Sequence, residues 1–194
     1  MGSILPFDIA GLKEKFQLEN YIETGTGEGM CLSHAMKFSF KKYSSCEIHE
    51  DVFKKINDKF SPSSELNLYN KSSKDFLGDI LPTLNGPSFI FLDAHFPGAD
   101  FHYNSYEDCG VNPTSLPLEE ELNLILKYRK GKGDIVLIDD LRIYMDGPFA
   151  GGNWGLRSTC GSNKVGFIFD ILNAMDKQIQ VSYEDQGYVL GYDR

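Results

Sequence analysis

Tyr21-Ile22-Glu23-Thr24-Gly25-Thr26-Gly27-Glu28-Gly29 runs from a short apolar strand through a carboxylate into a glycine turn, and Met30-Cys31-Leu32-Ser33-His34-Ala35-Met36 continues it as a helix. Glycines at 25, 27 and 29 let the backbone turn sharply and approach a ligand, because a Cβ there would collide with it or forbid positive φ. The stretch reads as a nucleotide-type binding loop; a ligand-free turn between strand and helix is the plainer alternative. No Gly-Lys-Ser/Thr follows, as a phosphate-gripping P-loop requires, and the spacing is G-x-G-x-G rather than G-x-G-x-x-G. Glu23 and Glu28 flank the turn. They would repel a pyrophosphate and attract an amine or a sulfonium.

Outward from this loop, strands and helices alternate. Upstream, residues 8–18 form a short helix with Ile9, Leu12 and Phe16 on one face. Downstream, the helix after the loop reaches about residue 40, and residues 45–49 make a second short strand. Its Glu47 falls 18 residues after Gly29, close to the spacing of about 20 at which an acid can accept hydrogen bonds from ribose hydroxyls. A solvated surface carboxylate is the alternative, and Glu50 or Asp51 compete for the role. Residues 51–60 repeat Val52, Ile56 and Phe60 at helical spacing. Leu66–Tyr69 is a third strand, and residues 74–84 form a helix whose start is marked by Ser72 and Ser73.

Residues 88–93 and 134–140 are continuous apolar runs that end in acids, as central parallel strands buried on both faces should. The helix between them opens with Glu119, Glu120 and Glu121 and closes with Lys127, Arg129 and Lys130, an order that suits the helix dipole. Residues 163–175 make another helix. Residues 179–183 and 188–192 are two strands separated by a short turn, hence an antiparallel hairpin. The fold expected is α/β, a doubly wound, mostly parallel seven-stranded sheet closing with a C-terminal antiparallel hairpin. Residues 1–194 form one domain, with long loops at 96–115 and 141–162 over the ligand edge.

The acidic residue followed by G-x-G-x-G, together with this order of elements, resembles the class I S-adenosylmethionine (SAM) dependent methyltransferases over nearly the whole chain. The resemblance implies SAM as cofactor, bound by Glu23, Thr24, Gly25, Gly27 and Gly29, with Glu47 on the ribose, Ser72 and Ser73 at the adenine edge, and Asp93. For the two serines, helix capping is an equally good role.

Glu23, Glu47, Asp93 and Asp139 each end a strand, and in an open parallel sheet those ends share one edge, where ligands bind. Four acids there imply a cationic ligand, a metal ion, or both. Phe91-Leu92-Asp93 and Leu137-Ile138-Asp139-Asp140 resemble the metal-acid segments of the metal-dependent O-methyltransferases, including the catechol and macrolide-sugar types. That resemblance implies Mg2+ held by Asp93, Asp139 and Asp140, with Asp93 in catalysis and the hydroxyl of a small molecule, a sugar or a phenol, as acceptor; His95, two residues past Asp93, is a candidate catalytic base or extra ligand because an imidazole titrates close to neutral pH. His95 as a loop histidine bonded to backbone is the plainer reading, and Trp154 either lines the acceptor pocket or packs its loop. The long loops depart from the family's short links and leave the acceptor class open. Two other functions fit the same strand ends: a noncatalytic SAM or nucleotide-binding module, and an NAD-dependent oxidoreductase, which Glu47 would also suit.

The 194 residues are 41% hydrophobic with a formal net charge of −9, so a phosphate backbone would be repelled and a nucleic-acid substrate is disfavoured. No stretch approaches the roughly 20 apolar residues of a membrane span, and no leader opens the chain, so a soluble cytoplasmic protein is expected. Self-association as a homo-oligomer stays open. Cys31, Cys46, Cys109 and Cys160 are too scattered for structural zinc.

Overall fold

The computed structural model describes residues 3–103, 105, 114–154 and 165–193. Its strands are β1 (Asn20–Thr24), β2 (Lys42–Cys46), β3 (Leu66–Tyr69), β4 (Ser88–Leu92), β5 (Ile135–Ile138), β6 (Gln178–Ser182) and β7 (Tyr188–Tyr192), in the spatial order β3-β2-β1-β4-β5-β7-β6. The first five run parallel; β7 is antiparallel to β5 and to β6. Seven strands, mostly parallel, ending in the hairpin, match the expected architecture. Strand order reverses between β1 and β4, which opens a crevice at their carboxyl ends.

Helices cover both faces because the strand side chains alternate. Ile22, Ile90, Val136 and Ile138 pack against α4 (Ser73–Ile80), α5 (Leu118–Arg129) and α6 (Gly166–Ala174), meeting Phe76, Leu77, Leu122, Ile125, Ile168 and Leu172. On the other face Tyr21, Phe89, Phe91, Ile135 and Leu137 meet Ile9 of α1 (Ile9–Lys15) and Leu32 and Ala35 of α2 (Met30–Ala35). Helix α3 (Glu50–Phe60) buries Val52 and Ile56, and its Phe60 joins the same cluster. Asp8 caps α1, its carboxylate accepting the Gly11 N–H at 2.9 Å.

Strand β2 spans Lys42–Cys46 rather than residues 45–49. The reason is chemical: Ser44 and Ser45 are buried, and an interior strand with serines lacks the apolar run that marks such strands in sequence. The Ser45 hydroxyl is donated to Glu23, which is what lets a polar residue sit there.

The opposite end of the sheet is pinned by a buried ion pair. Arg129, closing α5, donates from Nε and Nη2 to the two Asp134 carboxylate oxygens at 2.8 Å each, and from Nη1 to the Leu84 carbonyl at 2.7 Å. Asp134 also accepts the Ser88 N–H at 2.8 Å, so one carboxylate ties α5 to the entry of β4. Lys177 donates to the Asp134 carbonyl. No helix among the described residues is long and apolar enough to cross a membrane.

Candidate active site

At the crevice between β1 and β4 the glycine turn folds against the neighbouring strand end. Gly25 has φ +76°, and a Cβ added there would lie 2.5 Å from the Asp93 carbonyl oxygen. Both the backbone conformation and the close approach exclude any larger residue. The Gly25 and Thr26 N–H groups donate to the Cys46 carbonyl, 3.0 Å each, tying the turn to the end of β2. The Asp93 N–H donates to the Thr24 carbonyl (3.2 Å) and the Asp139 N–H to the Leu92 carbonyl (3.1 Å), which carries the parallel ladder past the strands and brings the acids to one level.

Glu23 and Thr24 are neighbours on a pleat and go to opposite faces. Glu23, buried beneath the turn, accepts from Tyr21 (3.1 Å) and from Ser45 (2.6 Å). Burial pushes its carboxyl up to about 8, the two hydroxyls offsetting only part of that cost. Thr24 points to the other side, beside the Glu121 carboxyl of α5, which burial raises to about 7. Glu47 follows β2 directly, and its carboxylate accepts the Gly27 N–H at 3.1 Å and the His49 N–H at 2.8 Å. Burial raises its pKa and these backbone donors oppose the shift.

Above these residues lies a cavity of about 450 Å3 whose wall includes Glu23, Gly25, Gly27, Glu47, Ser72, Ser73, Asp93 and His95. Two residues of the sequence-based SAM-binding set stand outside it. Thr24 faces away, and Gly29 serves packing, since a Cβ there would fall 2.5 Å from the Phe60 ring. Ser72 caps α4 by accepting the Asp75 N–H at 3.2 Å, while Ser73, buried, sits beside Glu121.

The acids after β4 and β5 enclose a histidine. His95 Nε2 lies 2.7 Å from Asp140 Oδ2, and its Nδ1 lies 3.6 Å from Asp93 Oδ1. Burial favours the neutral imidazole, but the charge and hydrogen bond of Asp140, with Asp139 and Asp100 behind it, prevail and raise the His95 pKa. Asp140 is brought low despite burial by His95 and Arg142. Its φ of +53° is rare for a residue with a Cβ, a local strain of the kind that collects at functional sites. Burial, then Asp139 and Asp140, push Asp93 well up; burial, then Asp140, bring Asp139 to about 7. The Asp139 and Asp93 carboxyls are within hydrogen-bonding reach of one another. Two carboxyls in contact in this setting must share a proton or a cation.

No family model matches this sequence, and no curated protein is similar enough to count as a relative. Solved structures are closer in shape than in sequence. A Staphylococcus aureus protein described as a caffeoyl-CoA O-methyltransferase superposes with a TM-score of 0.64 at 10% identity, covering 100% of this chain and 85% of that one. The methyltransferase PaMTH1 of Podospora anserina, solved with S-adenosylhomocysteine (SAH), gives 0.59 at 16% identity over 95% and 76%. The O-methyltransferase TomG of Streptomyces achromogenes, from tomaymycin synthesis and solved with SAM, gives 0.59 at 14% identity over 95% and 77%. The fold is that of the class I methyltransferases.

Within this methyltransferase fold the acids expected to hold a metal group differently from that expectation. The ligand atoms that lie within 4.8 Å of one another belong to Asp93, His95 and Asp140, whereas Asp139 of the sequence-based set Asp93, Asp139 and Asp140 borders the group through Asp93. Trp154 does not line the cavity; it stacks on Phe96 at 5.6 Å with Arg142 5.4 Å from its ring. Of loop 96–115, Phe96, Pro97, Gly98, Asp100, Phe101 and Thr114 reach the cavity wall. Residues 104, 106–113 and 155–164 lie outside the described residues, and with them Tyr106, Asp108, Cys109, Arg157 and Cys160. Sequence reasoning missed Ser45, Asp100 and Phe101. The signal for Ser45 was its register opposite Glu23, visible only once the strands are paired.

Proposed function

We propose that the chain is a SAM-dependent methyltransferase that methylates the hydroxyl of a small molecule such as a sugar or a phenol. The observation that carries this reading is the hydrogen bond from Gly27 to Glu47 at the wall of the cavity, because it joins the acid and the glycine turn where a ribose would lie. The SAM-bound and SAH-bound structures of the same fold support it. An acidic turn spaced G-x-G-x-G rather than G-x-G-x-x-G disfavours NAD.

When bound, SAM supplies a sulfonium methyl carbon as electrophile. Glu47 would accept the ribose hydroxyls, Ser72 and Ser73 would stand at the adenine edge, and Asp93, with the buried Glu23 beneath the turn, would face the cationic end. Asp140 accepts the Nε2–H of His95, which leaves Nδ1 as the atom that would take the acceptor's hydroxyl proton as that oxygen replaced sulfur on the methyl carbon. Positioning supplies much of the remaining rate. The carboxylate oxygens of Asp93 and Asp140 with a nitrogen of His95 also form a donor set that fits Mg2+, which would lower the pKa of the acceptor's hydroxyl.

Calorimetry and thermal shift test the reading. SAM and SAH should stabilise the protein by mass action, and NAD and ATP should not. Tight NAD binding without SAM binding overturns it, and saturable SAM binding without transfer to any acceptor reduces the chain to a binding module.

A further inference from the structure

We propose that Arg142 and Trp154 are positioning residues that fix the ring orientation and tautomer of His95 from outside the cavity. This rests on the reading above, in which His95 takes the acceptor's proton, and extends it to two side chains that are not part of the cavity wall.

The contacts close into a ring. His95 Nε2 lies 2.7 Å from Asp140 Oδ2, and the other oxygen of that carboxylate, Oδ1, faces Arg142 Nε at 3.5 Å. Arg142 is held in turn by the Gly151 carbonyl, which accepts from Nη1 at 3.2 Å, and by the Trp154 ring, whose centroid lies 5.4 Å from the guanidinium carbon. Trp154 stacks on Phe96, the planes 11° apart and the centroids 5.6 Å apart, and Phe96 is the next residue after His95. His95 is therefore held twice by one circuit, at its backbone through Phe96 and at its Nε2 through Asp140.

Each link has a physical task. A carboxylate free to turn about its Cβ–Cγ bond would offer either oxygen to the imidazole; the guanidinium charge beside Oδ1 fixes that rotation and leaves Oδ2 for the histidine. The indole face and the Gly151 carbonyl keep the planar guanidinium from swinging toward solvent. The hydrogen bond made by one ring nitrogen of a histidine decides the protonation of the other. With Asp140 accepting the Nε2–H, Nδ1 is left unprotonated and turned toward Asp93, which lines the cavity. Backbone conformation supports the same circuit. Phe96 and Asp140 have φ of +41° and +53°, values that persist in residues with a Cβ only where surrounding contacts over-determine them, and both residues belong to the ring.

The test is NMR of the full chain with 15N-labelled histidine, in the presence of SAH and a chelator so that no divalent ion touches the imidazole. His95 is assigned by comparison with His95→Gln. Its neutral ring should show a single Nε2–H tautomer and an Nε2–H proton protected from exchange with water. Arg142→Met, which keeps bulk and removes the charge, and Trp154→Leu should each lose the protected proton and mix the tautomers, with SAH affinity within about twofold of the parent because neither side chain lines the cavity. Trp154→Phe, which keeps an aromatic face, should retain the parent signature. A single protected tautomer in either Arg142→Met or Trp154→Leu overturns the inference, as does its absence from the parent, or a loss in Trp154→Phe as complete as in Trp154→Leu. Either of the two disruptive variants decides alone if the other does not fold. Failure of SAH to bind is a separate outcome that overturns the SAM-dependent reading, and the tautomer is then read without SAH.

Discussion

The Glu47 carboxylate holds the Gly27 N–H at 3.1 Å, so the acid after β2 and the turn after β1 form one unit. Glu47→Ala should weaken SAH binding by about 1 to 3 kcal/mol, the cost of charge-assisted hydrogen bonds to ribose. Calorimetry checks this. Glu50 is a poor substitute, since it is exposed on α3 and paired with Lys54 at 2.7 Å. Unchanged affinity would remove the ribose role from Glu47.

The second expectation concerns the cluster around His95. If it holds Mg2+ or Mn2+, titration with either ion in the presence of SAH shows one site, which Asp93→Asn and Asp140→Asn abolish and Asp139→Asn weakens. Chelation then stops transfer reversibly and leaves SAH affinity nearly intact. Chelator-resistant transfer with no ion bound assigns His95 as the base. In that case activity rises with pH through its raised pKa, because a base must be unprotonated to act.

Arg129 provides a contrast far from the cavity. It is 1% exposed and closes the pair with Asp134. Arg129→Ala strands a buried carboxylate and should cost about 3 to 5 kcal/mol in urea unfolding, with SAH affinity of the folded protein unaltered. A loss below 1 kcal/mol would mean that water readily replaces the guanidinium.

Glu23 makes stability fall with pH. Its carboxyl titrates near 8 in the folded protein and near 4.5 when unfolded, so between those values the native state holds a proton that the unfolded state has lost. Unfolding free energy therefore decreases from about pH 4.5 to about pH 8, by an amount on the order of a few kcal/mol, and levels off above that. Glu121, held at about 7, adds a slope of the same sign. Glu23→Gln should flatten the profile and leave the protein more stable than the parent at pH 8. A parent whose stability climbs across this window would show that the Glu23 carboxyl is ionised throughout.

Sequence alone determined the alternation of strands and helices, because apolar runs at residues 88–92 and 135–138 and helical spacing around Leu118, Leu122 and Ile125 record local burial directly. It also located the glycine turn and the four acids at strand ends, since turn chemistry and strand length are local properties. It misjudged β2, where buried serines imitate a loop. Only the tertiary structure decided which acids meet. Asp139 and Asp140 are adjacent in the chain, yet the left-handed backbone at Asp140 turns its carboxylate onto His95 while that of Asp139 goes to Asp93. The pleat likewise sends Glu23 to the cavity and Thr24 away from it. Such choices depend on register, backbone strain and burial between segments far apart in the chain, which no local pattern of residues encodes.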